Sequence, residues 1–190
     1  MQPNATIFAG VNGSGKTTLY YNELEKGRLF GLRVNIDEIV SSFGDWRSEK
    51  DQTRATKIAL RIRKHYIQTH QSFNQETTLC GASITKLFST LKANNYAITL
   101  YYVGLDSVEK AKQRVKIRVA KGGHDIDSKL IERRFCTSLQ NLKAIAPLCD
   151  DVLLFDNSAE SLKLIAQKHQ MPAGAFNSVL EGFITERLDK

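Results

Sequence analysis

Residues 10–18 read Gly-Val-Asn-Gly-Ser-Gly-Lys-Thr-Thr, and six of the nine are Gly, Ser or Thr. An apolar run, ATIFAG at 5–10, precedes them, and a helical pattern, KTTLYYNELEK at 16–26, follows. A buried strand, a glycine-rich turn and a helix in direct succession are the opening of a βαβ unit, and this constrains the fold more than any other feature. Gly10, Gly15, Lys16 and Thr17 satisfy the spacing G-x-x-x-x-G-K-[ST]. Average residue usage makes a chance match in a chain of this length roughly a one per cent event.

The chemistry explains the spacing. Glycines permit positive φ, so that the backbone N–H groups around Asn12, Gly13 and Ser14 point inward at phosphate oxygens. The N-terminus of the helix that carries Lys16, Thr17 and Thr18 adds partial positive charge. Lys16 is placed for β- and γ-phosphates, and the Thr17 hydroxyl suits Mg²⁺, which keeps few protein ligands. ATP with Mg²⁺ is the expected ligand.

The rest of the chain continues the alternation. Strands are predicted at 32–37, 72–77, 96–105 and 151–158, and helices at 52–70, 83–95, 107–121 and 128–146. A turn at 170–175 leads to a C-terminal helix over about 176–188. The expected fold is α/β of the P-loop NTPase type: one domain over 1–190, a parallel sheet of about five strands flanked by helices, and a helical lid over about 107–134. Ligands of such sheets bind beyond the carboxyl ends of the strands.

Functional candidates were therefore sought at strand ends. Asp37 closes the second predicted strand beside the phosphate loop, where a general base for an acceptor hydroxyl belongs; its alternative use is as a helix cap. Glu76 ends the third strand, followed by Thr77 and Thr78, and suits either substrate or a magnesium-bound water. Cys80 reads as a packed small residue. Between Lys110 and Lys121 six residues are basic and none acidic, and Arg114 and Arg118 share one helical stripe. The Gly122–Gly123–His124 turn and then Arg133 and Arg134 follow, an arrangement suited to a lid that closes on phosphate. His124 reads equally as a phosphate contact or a turn residue. Asn157, in FDNS at 155–158, is placed for an adenine pocket or an ordinary turn. The segment 41–50, with the single tryptophan Trp46, could cover an acceptor or lie on the surface.

Charge and cysteine usage narrow the partners. A net charge of +7 and a pI near 9.3 favour anionic ligands. The basic residues carry no interleaved aromatic platform, which argues against single-stranded nucleic acid. Cys80, Cys136 and Cys149 form neither a disulfide framework nor a zinc pattern. With no signal peptide and no apolar run near the ~20 residues of a membrane span, a cytoplasmic location is expected. An ABC-type signature and a GTPase base-reading motif are both absent from the sequence. Three classes stay open: a small-molecule kinase, a nucleoside or polynucleotide kinase, and a non-catalytic protein gated by ATP.

Taken together, GVNGSGKTT, VNIDEI, ETTLCG, RVKIRVAKGGHDID, IERRF and FDNS resemble the zeta toxin family of P-loop kinases, in a compact form. The resemblance implies that Lys16 and Thr17 handle ATP and Mg²⁺ and that Asp37 is the base. It implies that Glu76 helps to hold the acceptor and that Arg118, with Arg114, contacts the γ-phosphate. It further implies an acceptor such as UDP-N-acetylglucosamine, phosphorylated on a sugar hydroxyl, and an antitoxin as protein partner. Larger members carry a second lid arginine where this chain has its glycine–glycine–histidine turn.

Overall fold

The structure, a computed structural model, describes residues 2–81 and 83–189. The first βα unit is β1 (Asn4–Ala9) and α1 (Lys16–Glu25), and then come β2 (Leu32–Val34), α2 (Ile36–Ser41) and α3 (Glu49–Gln68). β3 (Phe73–Thr77), α4 (Ile84–Ala93), β4 (Ala97–Gly104), α5 (Val108–Ala120) and α6 (Ser128–Ile145) follow. The chain ends in β5 (Asp151–Asp156), β6 (Lys163–Gln167) and α7 (Ala173–Leu188). Among the described residues the sheet has six strands in the order β2-β3-β1-β4-β5-β6. The first five run parallel, and β6 pairs antiparallel with β5.

This order puts β1 in the middle, between β3 and β4. From β1 the chain builds outward to β3 and β2 on one side and to β4 and β5 on the other. The switch point therefore lies at the carboxyl end of β1, where the glycine-rich loop leaves the sheet, and ligands of open α/β sheets bind at such points.

Side chains alternate across the sheet and make two cores. Ile7, Ile98, Leu100, Tyr102, Val152 and Leu154 face α4, α6 and α7 and are almost fully buried. Phe8, Tyr101 and Phe155 face the other way, with Leu19 and Tyr20 of α1. The Phe8 and Tyr101 rings stack at 4.9 Å, and those of Tyr101 and Phe155 lie 9° from parallel at 6.1 Å. This aromatic row ties three neighbouring strands together directly beneath the phosphate loop.

Several sequence expectations change. The second strand stops at Val34 rather than 37, because the Asn35 side chain accepts hydrogen bonds from the Asp37 and Glu38 backbone N–H groups and caps α2. Asp37 therefore stands in the first turn of a helix. Segment 41–50 is partly helical, since α3 begins at Glu49 behind a Ser48 cap. Ser107 caps α5 by accepting from the Lys110 N–H. The sheet has a sixth strand because β6, reading Lys-Leu-Ile-Ala-Gln, is an edge whose Leu164 and Ile165 are exposed. It shows no alternation to read. α7 starts at Ala173, a few residues before the expected point. Among the described residues no helix is long and apolar enough to cross a membrane.

Candidate active site

The loop between β1 and α1 is held by close backbone approach. Gly10, Gly13 and Gly15 all have positive φ, at 141°, 79° and 100°. A Cβ on Gly10 would stand 2.2 Å from the Val103 carbonyl oxygen of β4, and one on Gly13 2.9 Å from that of Ala111 in α5. Only glycine leaves room for these carbonyls. Two side chains fix the loop from outside. The Asn157 amide, just past β5, donates to the Ser14 carbonyl at 2.8 Å, and Arg134 of α6 donates to the Asn12 side-chain oxygen at 2.9 Å. Asn157 is thus committed to bracing the loop. Arg114 packs its Cβ against Gly13.

Lys16 and Thr17 open α1. The Lys16 ammonium folds back on the Val11 carbonyl at 3.1 Å, spanning the mouth of the loop. Burial lowers its pKa, the nearby carboxylates of Glu76 and Asp37 oppose that shift, and Arg118 and Arg134 reinforce it. The Thr17 hydroxyl donates to Glu76 Oε2 at 2.8 Å. Thr18 is exposed in the same turn.

Glu76 is the most constrained carboxylate of the site. Its Oε1 accepts from the Arg33 guanidinium at 2.5 Å and from the Asn35 amide at 3.2 Å. Arg33 also pairs with Glu38 and Asn74 and lies over the Tyr20 ring at 3.7 Å. Two flat groups thus hold one oxygen of Glu76 and leave the other for Thr17. Neither Arg33 nor Asn35 was a sequence candidate. The available signal was polar residues interrupting two adjacent buried strands, at Arg33 and Asn74. Beyond Glu76, the Thr77 hydroxyl accepts from the Leu79 N–H at 3.0 Å, and the Thr78 carbonyl accepts from the Cys80 thiol. Burial raises the Cys80 pKa, which keeps it a thiol.

Asp37 is different in kind. Its carboxylate is 69% exposed and faces the opening above Lys16. His124, from the turn between α5 and α6, places Nδ1 3.8 Å from Asp37 Oδ2. The Arg118 guanidinium donates to the His124 carbonyl at 2.8 Å. That turn is tight: Gly122 has φ of 86°, and a Cβ on Gly123 would lie 2.5 Å from Arg118 Cγ. Trp46, from the segment between α2 and α3, sets its ring 5.5 Å from the His124 ring. The structure therefore gathers Lys16, Thr17, Asp37, Glu76, Arg118 and Arg134 around one cleft. Lys110, by contrast, is tied to Asp106 and to the Ser158 carbonyl.

A phosphate and a hard cation fit what is present. Ser14 Oγ and Arg118 Nε, like Arg187 Nε elsewhere, are buried without a hydrogen-bond partner among the described residues, and a bound anion would supply one for the first two. Among the described residues no three His, Cys, Asp or Glu side chains form a metal cage. A cation here would rest on Thr17 and Glu76, completed by water and nucleotide oxygens, the donor set magnesium prefers.

Comparison with known proteins bears on the fold and the family. A protein from Haemophilus influenzae, described only as uncharacterized, is 30% identical over 135 residues, 71% of this chain and 94% of its own length. The fold is similar to that in the PezAT chromosomal toxin–antitoxin system of Streptococcus pneumoniae, with a TM-score of 0.64 and 14% identity over 99% of this chain and 86% of that one. It is also similar to the AvrRxo1-ORF1:ORF2 structure with ATP, with a TM-score of 0.66 and 16% identity, covering 87% of this chain and 58% of that one. A third similar fold is in the Pnkp1/Rnl/Hen1 RNA repair complex, with a TM-score of 0.58 and 22% identity over 78% of this chain and 47% of that one. Residues 1–169 match the zeta toxin family, and the chain belongs to that family.

Proposed function

We propose that the protein is an ATP-dependent phosphotransferase that moves the γ-phosphoryl group to a hydroxyl of a small acceptor, a nucleotide sugar such as UDP-N-acetylglucosamine. The carrying observation is the exposed Asp37 carboxylate beside Lys16 and the hydrogen-bonded Thr17–Glu76 pair. A phosphate loop alone binds nucleotide. A free carboxylate beside it adds a base for an acceptor.

In this reading the loop N–H groups and Lys16 bind the β- and γ-phosphates, and Thr17 with Glu76 holds Mg²⁺. The cation, when bound, neutralises charge on the phosphate oxygens. Asp37 orients the acceptor hydroxyl and takes its proton as oxygen bonds to the γ-phosphorus and the bond to the β-phosphate oxygen breaks, releasing ADP. Arg118 and Arg134 balance the negative charge spread over the transferring group. Arg114, against Gly13, supports the same phosphates. Thr77 and Thr78 line the acceptor side, and the Gly122–Gly123 turn lets α5 and α6 act as a lid. A protein antitoxin is the expected partner, by analogy with the toxin–antitoxin system named for the PezAT fold.

The test is phosphoryl transfer from labelled ATP to a panel of UDP-sugars, nucleosides and oligonucleotides. A labelled UDP-sugar is expected, lost about 10²–10⁴-fold in Asp37→Asn with ATP affinity nearly unchanged. Equal loss of ATP binding and transfer in that variant would remove Asp37 from the role of base. A second reading, a polynucleotide acceptor, draws on the +7 charge and the fold shared with the RNA repair complex. Labelled oligonucleotides, with binding that falls steeply as salt rises, would establish it instead.

A further inference from the structure

Two regions far apart in sequence, residues 37–46 and residues 118–124, meet at His124. Its Nδ1 is 3.8 Å from Asp37 in α2, its ring is 5.5 Å from Trp46 in the segment before α3, and its carbonyl accepts from Arg118 in α5. None of these contacts serves the sheet or either core. They bridge the cleft from its α2 wall to its α5–α6 wall. The His124 side chain is only 21% exposed although it sits in a turn.

We propose that His124 is a positioning residue that joins the Trp46 segment to the α5–α6 turn, so that Asp37 and Arg118 take up their places around the acceptor together. The proposal rests on the phosphotransferase reading above. The geometry supplies the reason. Asp37 is exposed and hangs from the first turn of a short helix, so its own surroundings do not orient it. A ring nitrogen carrying hydrogen on the Asp37 side would draw the carboxylate to one rotamer, and apo contacts of this length tighten once substrate closes a site. Trp46 keeps the ring from swinging outward, and the Arg118 bond ties the ring's backbone to the phosphate-facing guanidinium. Closing one wall therefore sets the other.

Burial favours a neutral imidazole, while the charged groups around the ring pull in both directions. Burial is the main cause of a lowered pKa, Arg118 of α5 and Arg134 of α6 push the same way, and Asp37 and Asp125 oppose them. A neutral ring with its hydrogen on Nδ1 would donate to Asp37 once the 3.8 Å contact shortens, without cancelling the carboxylate's charge.

The single tryptophan makes this measurable. A protonated histidine quenches a neighbouring indole, so Trp46 emission should titrate with a midpoint below 6.5, the ordinary histidine value, and the titration should vanish in His124→Gln. In the transfer assay the same variant should lose kcat by about tenfold to a hundredfold with KM for ATP within about twofold, the pattern of a misplaced reacting group. His124→Asn, which keeps a donor near the Nδ1 position, should recover part of kcat. Emission that titrates identically in wild type and His124→Gln would overturn the contact. A lost titration with unchanged kcat would overturn the positioning role. Wild-type protein without turnover would refute the phosphotransferase reading and this role with it, leaving the emission to judge the contact by itself.

Discussion

Arg187 is the most buried cation whose partner can be removed cleanly. It is 5% exposed, donates to Asp156 Oδ2 at 2.8 Å and to the Phe183 carbonyl at 3.0 Å, and lies over the Phe183 ring at 3.5 Å. Asp156 is 28% exposed and also accepts from the Ser158 N–H and hydroxyl. Asp156→Ala strands a buried guanidinium, and removing one member of such a pair costs about 3–5 kcal/mol. The partial exposure of Asp156 places this case at the low end, about 3 kcal/mol, or about 6–12 °C in Tm for a chain of this size. Arg187→Met keeps the packing on Phe183 and leaves a carboxylate that can turn to water, so about 1 kcal/mol is expected. The double variant should lie close to Arg187→Met, because no charge is then left buried. Urea and thermal unfolding of the four proteins give the cycle. Equal cost in the two single variants would refute the argument, since it rests on which partner is the buried one. Because Asn157 follows Asp156 directly, ATP affinity should weaken in Asp156→Ala and hold in Arg187→Met.

Four further outcomes follow from the site. Gly122→Ala, where a Cβ meets nothing within 4 Å but φ is 86°, should cost about 1–2 kcal/mol from backbone conformation alone. Gly10→Ala adds a collision with the Val103 carbonyl and should cost clearly more and abolish ATP binding, as read by urea unfolding and nucleotide titration. Lys16→Met should raise the Tm of the nucleotide-free protein, because burial outweighs the carboxylates around this ammonium, and it should remove the rise in Tm that ATP gives; a lower nucleotide-free Tm would contradict that. His124 has a folded pKa depressed below 6.5, so its neutral form contributes stability that is complete above 6.5 and is lost as pH falls through the folded value. The Tm of His124→Gln relative to wild type should therefore rise as pH drops below 6.5, and a constant difference across that window would show that the ring is not desolvated.

Much of this molecule was legible in its sequence, for identifiable reasons. The phosphate loop was readable because its glycines answer to local demands: positive φ and carbonyls pressed against the backbone. The buried strands were readable because their residues are apolar on both faces. The strand-end rule singled out Asp37 and Glu76, although Asp37 sits one element later, in the first turn of α2. Asn35 looks like a strand residue until its side chain is seen capping α2. Arg33 and Asn74 were missed because their task, fixing Glu76, exists only when β2 and β3 pair. The meeting of Trp46, His124 and Asp37 joins three segments that no periodicity relates. β6 escaped because an exposed edge carries no buried face to print a pattern.

The bond from Asn157 to the Ser14 carbonyl spans 143 residues of sequence. The glycine-rich loop leaves the ribosome well before the parts that shape it: Val103 and Ala111 at its back, Arg134 at its side and Asn157 last. Until residue 157 is made, a nascent chain thus carries the glycine-rich sequence without its finished shape. Fragments left by abortive translation or by proteolysis before residue 157 are expected to lack the finished cradle. A loop assembled in this order is complete only after residue 157 has paired with Ser14, so its shape reports on the folding of the whole sheet rather than of its own segment.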